Sequence, residues 1–388
     1  MNQRDILEIR RRLNPEKRYP SLICGCYYGC DGHVVTSFAS TPERFNQEDM
    51  DKLMGLFKRT LSGTPEQNLL SVDLPMPGGR PGEHQLAMMD LCASALRDED
   101  LVGEFFGRMG EHIRRMHNER KQSVEEDQLL NNYLVLLLHD GYDVPRRKDD
   151  ELVREESDSV LNYVLCAVCP VKQSKPVFQY VAAQGEFHCC GDDWVVGAPD
   201  CGFMYPAFEE RGANVNRAVF YTRDANDLHD ELVETLFGTQ LTMSSGEQKE
   251  TFQAILAETL KEECSLATMQ QMHETVSDMI RVQKEDKDAE PLTFTGDALK
   301  QVLTDCGVSQ EKSDAFADRY TEVFGDKAEV PAANLVTPKQ FKVETPSVSI
   351  KVDPDHSDLV ETRMIDGRRY ILVLVDGDVE LNGMRVTQ

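Results

Sequence analysis

The chain has 388 residues, 68 Asp+Glu against 42 Lys+Arg, a formal net charge of −26 and 40% apolar residues. That apolar share excludes wholesale disorder, and no run of about 18 apolar residues suits a membrane-spanning helix. The acidic surplus repels nucleic acid at long range and excludes non-specific coating of it.

At about 100–200 residues per domain the length allows two or three domains. The first residues, MNQRDILEIRRRLNPEK, lack the apolar stretch of an export signal. Ile6, Ile9 and Leu13 instead predict a short amphipathic helix that docks on the body, and the expected compartment is the cytoplasm. The 11 cysteines are an odd number, many inside apolar runs, which favours reduced thiols over a disulfide framework.

SLICGCYYGCDGHVVTSF (21–38) predicts a hairpin turning at Gly29-Cys30-Asp31-Gly32. Met50, Leu53, Met54, Phe57 and Leu61 share one face of a helix over 47–61, and PMPGGRPG (75–82) reads as an exposed loop. Residues 84–121 read as helix, with Leu86, Met89, Leu96, Leu101, Phe105, Met109 and Ile113 apolar. NNYLVLLLHDGYDVP (131–145) reads as a strand buried on both faces that ends in a turn, and VLNYVLCAVCPV (160–171) as a second such strand. A hairpin at 177–190 turning at Gly185, a strand at 214–224 and a helix at 227–238 stopped by Gly238 complete the first part.

Residues 241–330 hold 19 acidic and 9 basic residues, a net of −10, and predict helices. One face carries Phe252, Ile255, Leu256 and Leu260, and another Leu266, Met269, Val276, Met279 and Ile280. RVQKEDKDAEP (281–291) reads as a charged connector, and 297–324 as a helix pair broken at Gly307 with Ser309 as cap. FKVETPSVSIKV (341–352) alternates with period two, and 368–386 predicts a hairpin around Asp376-Gly377. The expected class is mixed α/β (α+β): a sheet-containing core over 1–240, an acidic helical segment over 241–335 and a small β-rich unit over 336–388.

Three constellations bear on chemistry. Cys24, Cys26, Cys30, Cys166, Cys169, His188, Cys189 and Cys190 are residue types that ligate zinc, and Cys24, Cys26, His188 and Cys189 form the candidate metal set. Cys166-x-x-Cys169 lies in an apolar strand, where i and i+3 point to opposite faces, and it lacks the helix N-terminus of a redox pair. Buried reduced thiols therefore lead over metal and redox chemistry. His139 and Asp140, at the end of the buried strand, are the candidate base and its orienter, against a plain structural turn. Arg10, Arg11 and Arg12, then Arg114, Arg115, Arg120 and Lys121, then Arg146, Arg147 and Lys148 are basic groups that would bind phosphates if they converged. The lone Trp194 reads as a partial core anchor. Phosphate-loop, dinucleotide, HExxH and nucleophile-elbow patterns do not occur, so no cofactor is expected.

Ile23-Cys24-Gly25-Cys26, HDGYDVP (139–145), CPVKQSKP (169–176), GEQKETFQA (246–254), SDLVETR (357–363) and DGRRYILV (366–373) together resemble, end to end, the Firmicutes family designated domain of unknown function 4317. That resemblance implies no activity and carries no site residue. The order of elements, with Leu236-Phe237-Gly238 closing the α/β half, is also similar to that of bacterial nucleoid-associated proteins. The expected function is that of a cytoplasmic, non-enzymatic binding or regulatory protein with protein partners and no membrane. Its rivals are nucleic-acid association through the arginine groups, and a hydrolase or metal enzyme built on His139, Asp140 or the cysteines.

Overall fold

The computed structural model describes residues 1, 3–14, 20–123, 131–148, 151–182, 185–191, 193–209, 212–241, 243–286, 289, 291–325, 328–337, 340–345, 347–375, 379–381 and 384–386. They divide into two compact units, Met1–Ser244 and Ser245–Gln388. The class is mixed α/β.

The first unit runs α1 (Gln3–Arg12), β1 (Leu22–Tyr28), β2 (Val34–Ser40), α2 (Gln47–Arg59), β3 (Leu69–Asp73), α3 (Glu83–Ala93), α4 (Glu99–Ser123), β4 (Asn132–Lys148), β5 (Glu151–Gln173), β6 (Val177–Val181), β7 (Glu186–Cys190), β8 (Trp194–Val196), β9 (Cys201–Tyr205), β10 (Ala207–Glu209), β11 (Gly212–Asn214), β12 (Arg217–Thr222) and α5 (Asp230–Phe237). One antiparallel sheet follows the order β2-β1-β4-β5-β9-β12-β3, and β8 pairs with the far end of β5. Both faces are covered. Cys24, Cys26, Val135, Leu137, Val164, Cys166, Phe203 and Phe220 meet α3, α4 and α5 on one face. Ile23, Leu136, Leu138, Leu165, Cys169, Met204 and Val219 meet α1 and α2 on the other. The strict alternation explains the uninterrupted apolar runs, since every position of a central strand faces a core.

The first hairpin, α2 and α5 lie where their patterns place them. Asn46 caps α2 by accepting from the Asp49 amide at 2.8 Å, and Gly238 ends α5 at φ 66°. At Gly32 (φ 78°) a Cβ would come 2.4 Å from the Gly110 carbonyl oxygen, so only glycine lets this turn lie against α4. Residues 84–121 are not one helix. The chain breaks after Ala93, with Ala95 and Leu96 left-handed at φ 52° and 59°. Leu96 is thereby buried, while Leu86 faces solvent. Trp194 is exposed rather than an anchor in the core.

His139-Asp140-Gly141 do not form a turn. They are mid-strand, paired with Val164, Tyr163 and Asn162. Asp140 is buried and accepts from Arg12 Nη2 at 3.0 Å and from the Tyr163 hydroxyl at 3.2 Å. Arg12 also donates to the Gly141 carbonyl at 2.9 Å, and its guanidinium lies 4.2 Å from the Tyr142 ring centroid. These contacts, with Ile6, Ile9 and Leu13 in the core, hold α1 on the sheet.

Beyond Gln173 the chain continues as a two-stranded ribbon, β6 with β7. Gln173 pairs with Trp194 and Val177 with Cys190, so one continuous register joins β5–β8 to β6–β7. Phe178, Tyr180 and Phe187 share one exposed face near its tip, with Phe178 and Phe187 stacked at 5.7 Å.

The second unit runs α6 (Ser245–Leu260), α7 (Leu266–Glu285), β13 (Thr293–Phe294), α8 (Gly296–Asp305), α9 (Gln310–Phe324), β14 (Val330–Pro331), α10 (Ala332–Leu335), β15 (Phe341–Thr345), β16 (Val348–Val352), β17 (Val360–Ile365), β18 (Arg368–Val373), β19 (Val379–Leu381) and β20 (Met384–Val386). Its core gathers Phe252, Ile255, Leu256, Leu260, Met272, Val276, Ile280, Phe316 and Tyr320. Met279 is 41% exposed, whereas Met272, Val276 and Ile280 of α7 are buried. The connector expected from 281 begins only after Glu285, where α7 ends. Ser309 sits at the N-cap of α9, but its hydroxyl and amide both donate to Glu263, each at 2.8 Å.

The alternating stretch 341–352 is a hairpin, β15 with β16. β18 pairs back with β17 through Asp366 and Gly367 (φ 49° and 75°), the left-handed pair of a tight two-residue turn. The Asp376-Gly377 turn expected from the sequence lies outside the described residues, and β19 pairs with β20. Gln270 Nε2 donates to the Ser357 and Val360 carbonyls at 2.7 and 2.8 Å, which ties the start of the β17–β18 hairpin to α7.

The latch of α1 is testable. Breaking a buried ion pair leaves one charge uncompensated, at a cost of about 3 kcal/mol. Asp140→Ala is expected to lose about that much in urea unfolding. Arg12→Met/Asp140→Ala should lose less than the sum of the two single changes, and strict additivity would show that the pair does not couple α1 to the sheet.

Candidate functional site

None of the three constellations expected from the sequence assembles among the described residues; Arg12 and Asp140, taken from two different ones, meet instead as the pair that holds α1. His139 and Asp140 project to opposite faces of β4, as adjacent strand residues must, so they form no base–orienter pair. His139 is buried, and burial pushes its pKa down against the opposing pull of Asp140. Cys24 and Cys166 sit in one cross-strand row with Leu137 between them. Two strand spacings separate them by about 10 Å, too far to share an ion with zinc–sulfur bonds of about 2.3 Å. Cys169 faces the other core, and His188 and Cys189 lie exposed on the ribbon. Burial pushes the Cys24 thiol up to about 11 and Cys169 up to about 12. Among the described residues ten cysteines are free thiols, and no group of three or more His, Cys, Asp or Glu is placed to hold a metal.

The arginine groups do not converge either. Arg10, Arg11 and Arg12 end α1, whereas Arg114 and Arg115 lie on α4, across the sheet. Arg12 is committed to Asp140, and Arg115 donates to Thr235 Oγ1 at 2.8 Å. The side chains of Arg120, Lys121, Arg146, Arg147 and Lys148 lie outside the described residues.

A cavity of about 670 Å³ opens elsewhere, on the α4–α5 face of the sheet. Val168 and Cys201, register partners on β5 and β9, form its floor with Tyr133 beside them. One face of α4 supplies Met109, His112, Ile113, Met116 and Glu119, at the spacing of successive turns. The opposite wall is the stretch from Arg223 to Leu232 that links β12 to α5. Thr222, fully buried, shapes that stretch by donating its hydroxyl to the Asp224 and Asp227 carbonyls at 2.8 and 2.7 Å. The Asp224 and Asp227 carboxylates accept from the amides two residues on, at 3.0 and 3.1 Å. His229 is left-handed at φ 49°, an uncommon state for a residue with a side chain.

The lining carries the carboxylates of Glu119, Asp200, Asp224, Asp227, Asp230 and Glu231 and the guanidinium of Arg223, which is ion-paired with Asp200 at 2.7 Å. His112 is 4% exposed and its Nδ1 has no hydrogen-bond partner. Burial, reinforced by the positive charge of Arg115 and by His229, pushes its pKa down to about 4. The imidazole is therefore neutral near pH 7 and keeps an acceptor nitrogen. Cys201 is buried, and its thiol lies well above the ordinary range for the same reason. The site thus offers acceptors and apolar surface, without an activated nucleophile.

The sequence reading missed this site. Two signals were present: a dense acidic stretch, Asp224 to Glu231, between a strand and a helix, and His112 on an apolar helix face. Neither reveals the other, because they meet only after folding.

The two units define a mixed α/β protein with a solvent-open acidic cavity on a helix-covered antiparallel sheet. The chain belongs to the family described as domain of unknown function (DUF4317), whose model matches residues 1–384 and so spans both units. No curated protein and no solved structure matches it significantly. The likeness in element order to nucleoid-associated proteins gains no support from these comparisons.

The neutral histidine makes stability depend on pH. Between its ordinary pKa of about 6.5 and its folded value of about 4, the unfolded chain binds a proton that the fold refuses. Its contribution is complete above about pH 6.5 and is lost as pH falls towards 4, on the order of 3 kcal/mol in all. His139 and His273 are shifted down too and add to the slope. Urea unfolding at pH 7 and pH 4.5 should therefore show a smaller acid loss in His112→Phe than in the parent protein. An equal loss in both would place the acid sensitivity elsewhere.

Proposed function

We propose that the protein is a non-enzymatic cytoplasmic binding protein whose first unit takes a small ligand in the acidic cavity. The observation that carries this reading is a solvent-open cavity of about 670 Å³, a volume within the usual span of ligand sites, walled by α4 and by the acidic stretch from Asp224 to Glu231. The raised pKa of Cys201 supports binding over nucleophilic catalysis. The free thiols support a reducing compartment.

A second reading, docking of a protein partner, is favoured by the exposed ribbon face of Phe178, Tyr180 and Phe187, since contiguous exposed aromatics mark interaction sites. Nucleic-acid association and metal-dependent hydrolysis draw no comparable support from the arrangement of the arginines, of His139 and Asp140, or of the cysteines.

Thermal unfolding of the full chain tests the leading reading. The low-molecular-weight fraction of a cell lysate is expected to raise Tm in a saturable manner, because a ligand that binds only the fold stabilises by mass action. Met116→Trp, which fills the cavity from its half-buried rim, should abolish the rise while leaving the circular dichroism unchanged. No rise in the parent protein, or an equal rise in the variant, would overturn the assignment.

A further inference from the structure

We infer that β2 is a self-association edge: two copies of the chain pair through it, antiparallel about a two-fold axis near Ser37, so that their central sheets become one. This rests on the sheet topology and is independent of the cavity. β2 ends the strand order on one side, and only β1 pairs with it. Among the described residues no turn or loop backbone bonds to Val34–Ser40, so the outward amides and carbonyls of this strand have no backbone partner. Such an edge is a template for another strand.

The opposite edge of the sheet is closed. There the chain before β3 folds over it. The Glu66 amide donates to the Leu69 carbonyl at 2.7 Å, and the Leu69 amide donates to the Thr64 carbonyl at 3.3 Å. Ser71 Oγ donates to the Glu66 carboxylate at 2.9 Å, and Asp73, ion-paired with Arg217, adds charge at the end of the strand. β2 has none of these protections. Residues 32–42 contain no Asp, Glu, Lys or Arg, and Val34, Val35, Thr36, Ser37 and Ala39 are exposed. The register shift between Tyr27 and Tyr28 falls at the Val34 end and leaves Thr36–Ser40 regular.

Charge and symmetry select the occupant. Each copy carries a net charge of −26, so two copies approach closely only where neither presents carboxylates, and residues 32–42 meet that condition. Capture of a foreign strand takes its specificity from side-chain pockets and charges along the edge, and β2 carries no charge. An antiparallel pair about a two-fold axis lets β2 complement itself. With the axis at Ser37, Val34, Val35 and Thr36 of one copy lie opposite Ser40, Ala39 and Phe38 of the other. Three β-branched residues then gain cross-strand neighbours, and the outward backbone groups of both copies are paired in one step.

Sedimentation velocity of the full chain across about 1–100 μM is expected to show a concentration-dependent monomer–dimer equilibrium, the behaviour of a small interface. Ser37→Glu and Ser37→Lys set like charges face to face across the axis, and each should weaken dimerisation at least tenfold. An equimolar mixture of the two variants should restore it, which a folding defect would not do. Phe178→Ser/Phe187→Ser, on the ribbon, should leave the dimer constant within twofold. Hydrogen exchange should show the Val34–Ser40 amides better protected at high concentration than at low. A monomer at every concentration, a dimer kept by both Ser37 variants, loss of the dimer in the ribbon variant, or weakening that the mixture does not reverse overturns the inference.

Discussion

The antiparallel pairing of β4 with β5 is the constraint on which the first unit depends. In this ladder Leu134 to Tyr142 face Cys169 to Leu161 without a break in register. Odd and even positions feed different cores, so Cys166 packs under α4 while its neighbours Leu165 and Ala167 pack under α2. A slip of one residue would exchange the two sets and send Tyr163 and Asp140 into the wrong core. The rest is organised around this register. β1 and β9 flank the pair, α1 reaches Asp140 from one side, and the cavity floor at Val168 and Cys201 lies on the other.

Local signals carried into structure where the chain decides its conformation alone. Asn46 and Gly238 mark helix ends through their own chemistry, and the two apolar runs could be read as strands because both of their faces are covered. The break between α3 and α4 has no glycine or proline to announce it. It exists because Leu96 is pulled into the core, where the thiol of Cys24 approaches its carbonyl at 4.0 Å. His139-Asp140-Gly141 look like turn residues, yet tertiary pairing with β5 keeps them extended. The β17–β18 hairpin went unread for a related reason: Asp366-Gly367 and Asp376-Gly377 carry the same dipeptide, and composition does not say which turn joins which strands. The cavity was illegible because His112 and His229 belong to segments joined only through the sheet.

The acidic balance of the chain is sharpened by how its cations are used. Arg12 is spent on Asp140, Arg217 on Asp73 and Glu209, Arg223 on Asp200, and Arg319 on Glu258 and Glu322. Those pairings remove guanidinium groups that would otherwise offset the field of the other carboxylates. Near the cavity, Asp224, Asp227 and Asp230 come from a short stretch, so their potentials add at the mouth. The same arrangement leaves α1 and α4 without a shared basic surface.

The latch between Arg12 and Asp140 also sets an order in time. The two residues are 128 positions apart, and α1 leaves the ribosome long before β4 exists. At about 5–20 residues per second, the wait is roughly 6–25 s before Asp140 has been made, and longer before β5 can pair with β4. During that interval Ile6, Ile9 and Leu13 have no core to enter, and a ten-residue helix is too short to hold itself together in water. The beginning of the chain is thus among the last parts of the first unit to become secure, and in the meantime its apolar stripe is available to a chaperone.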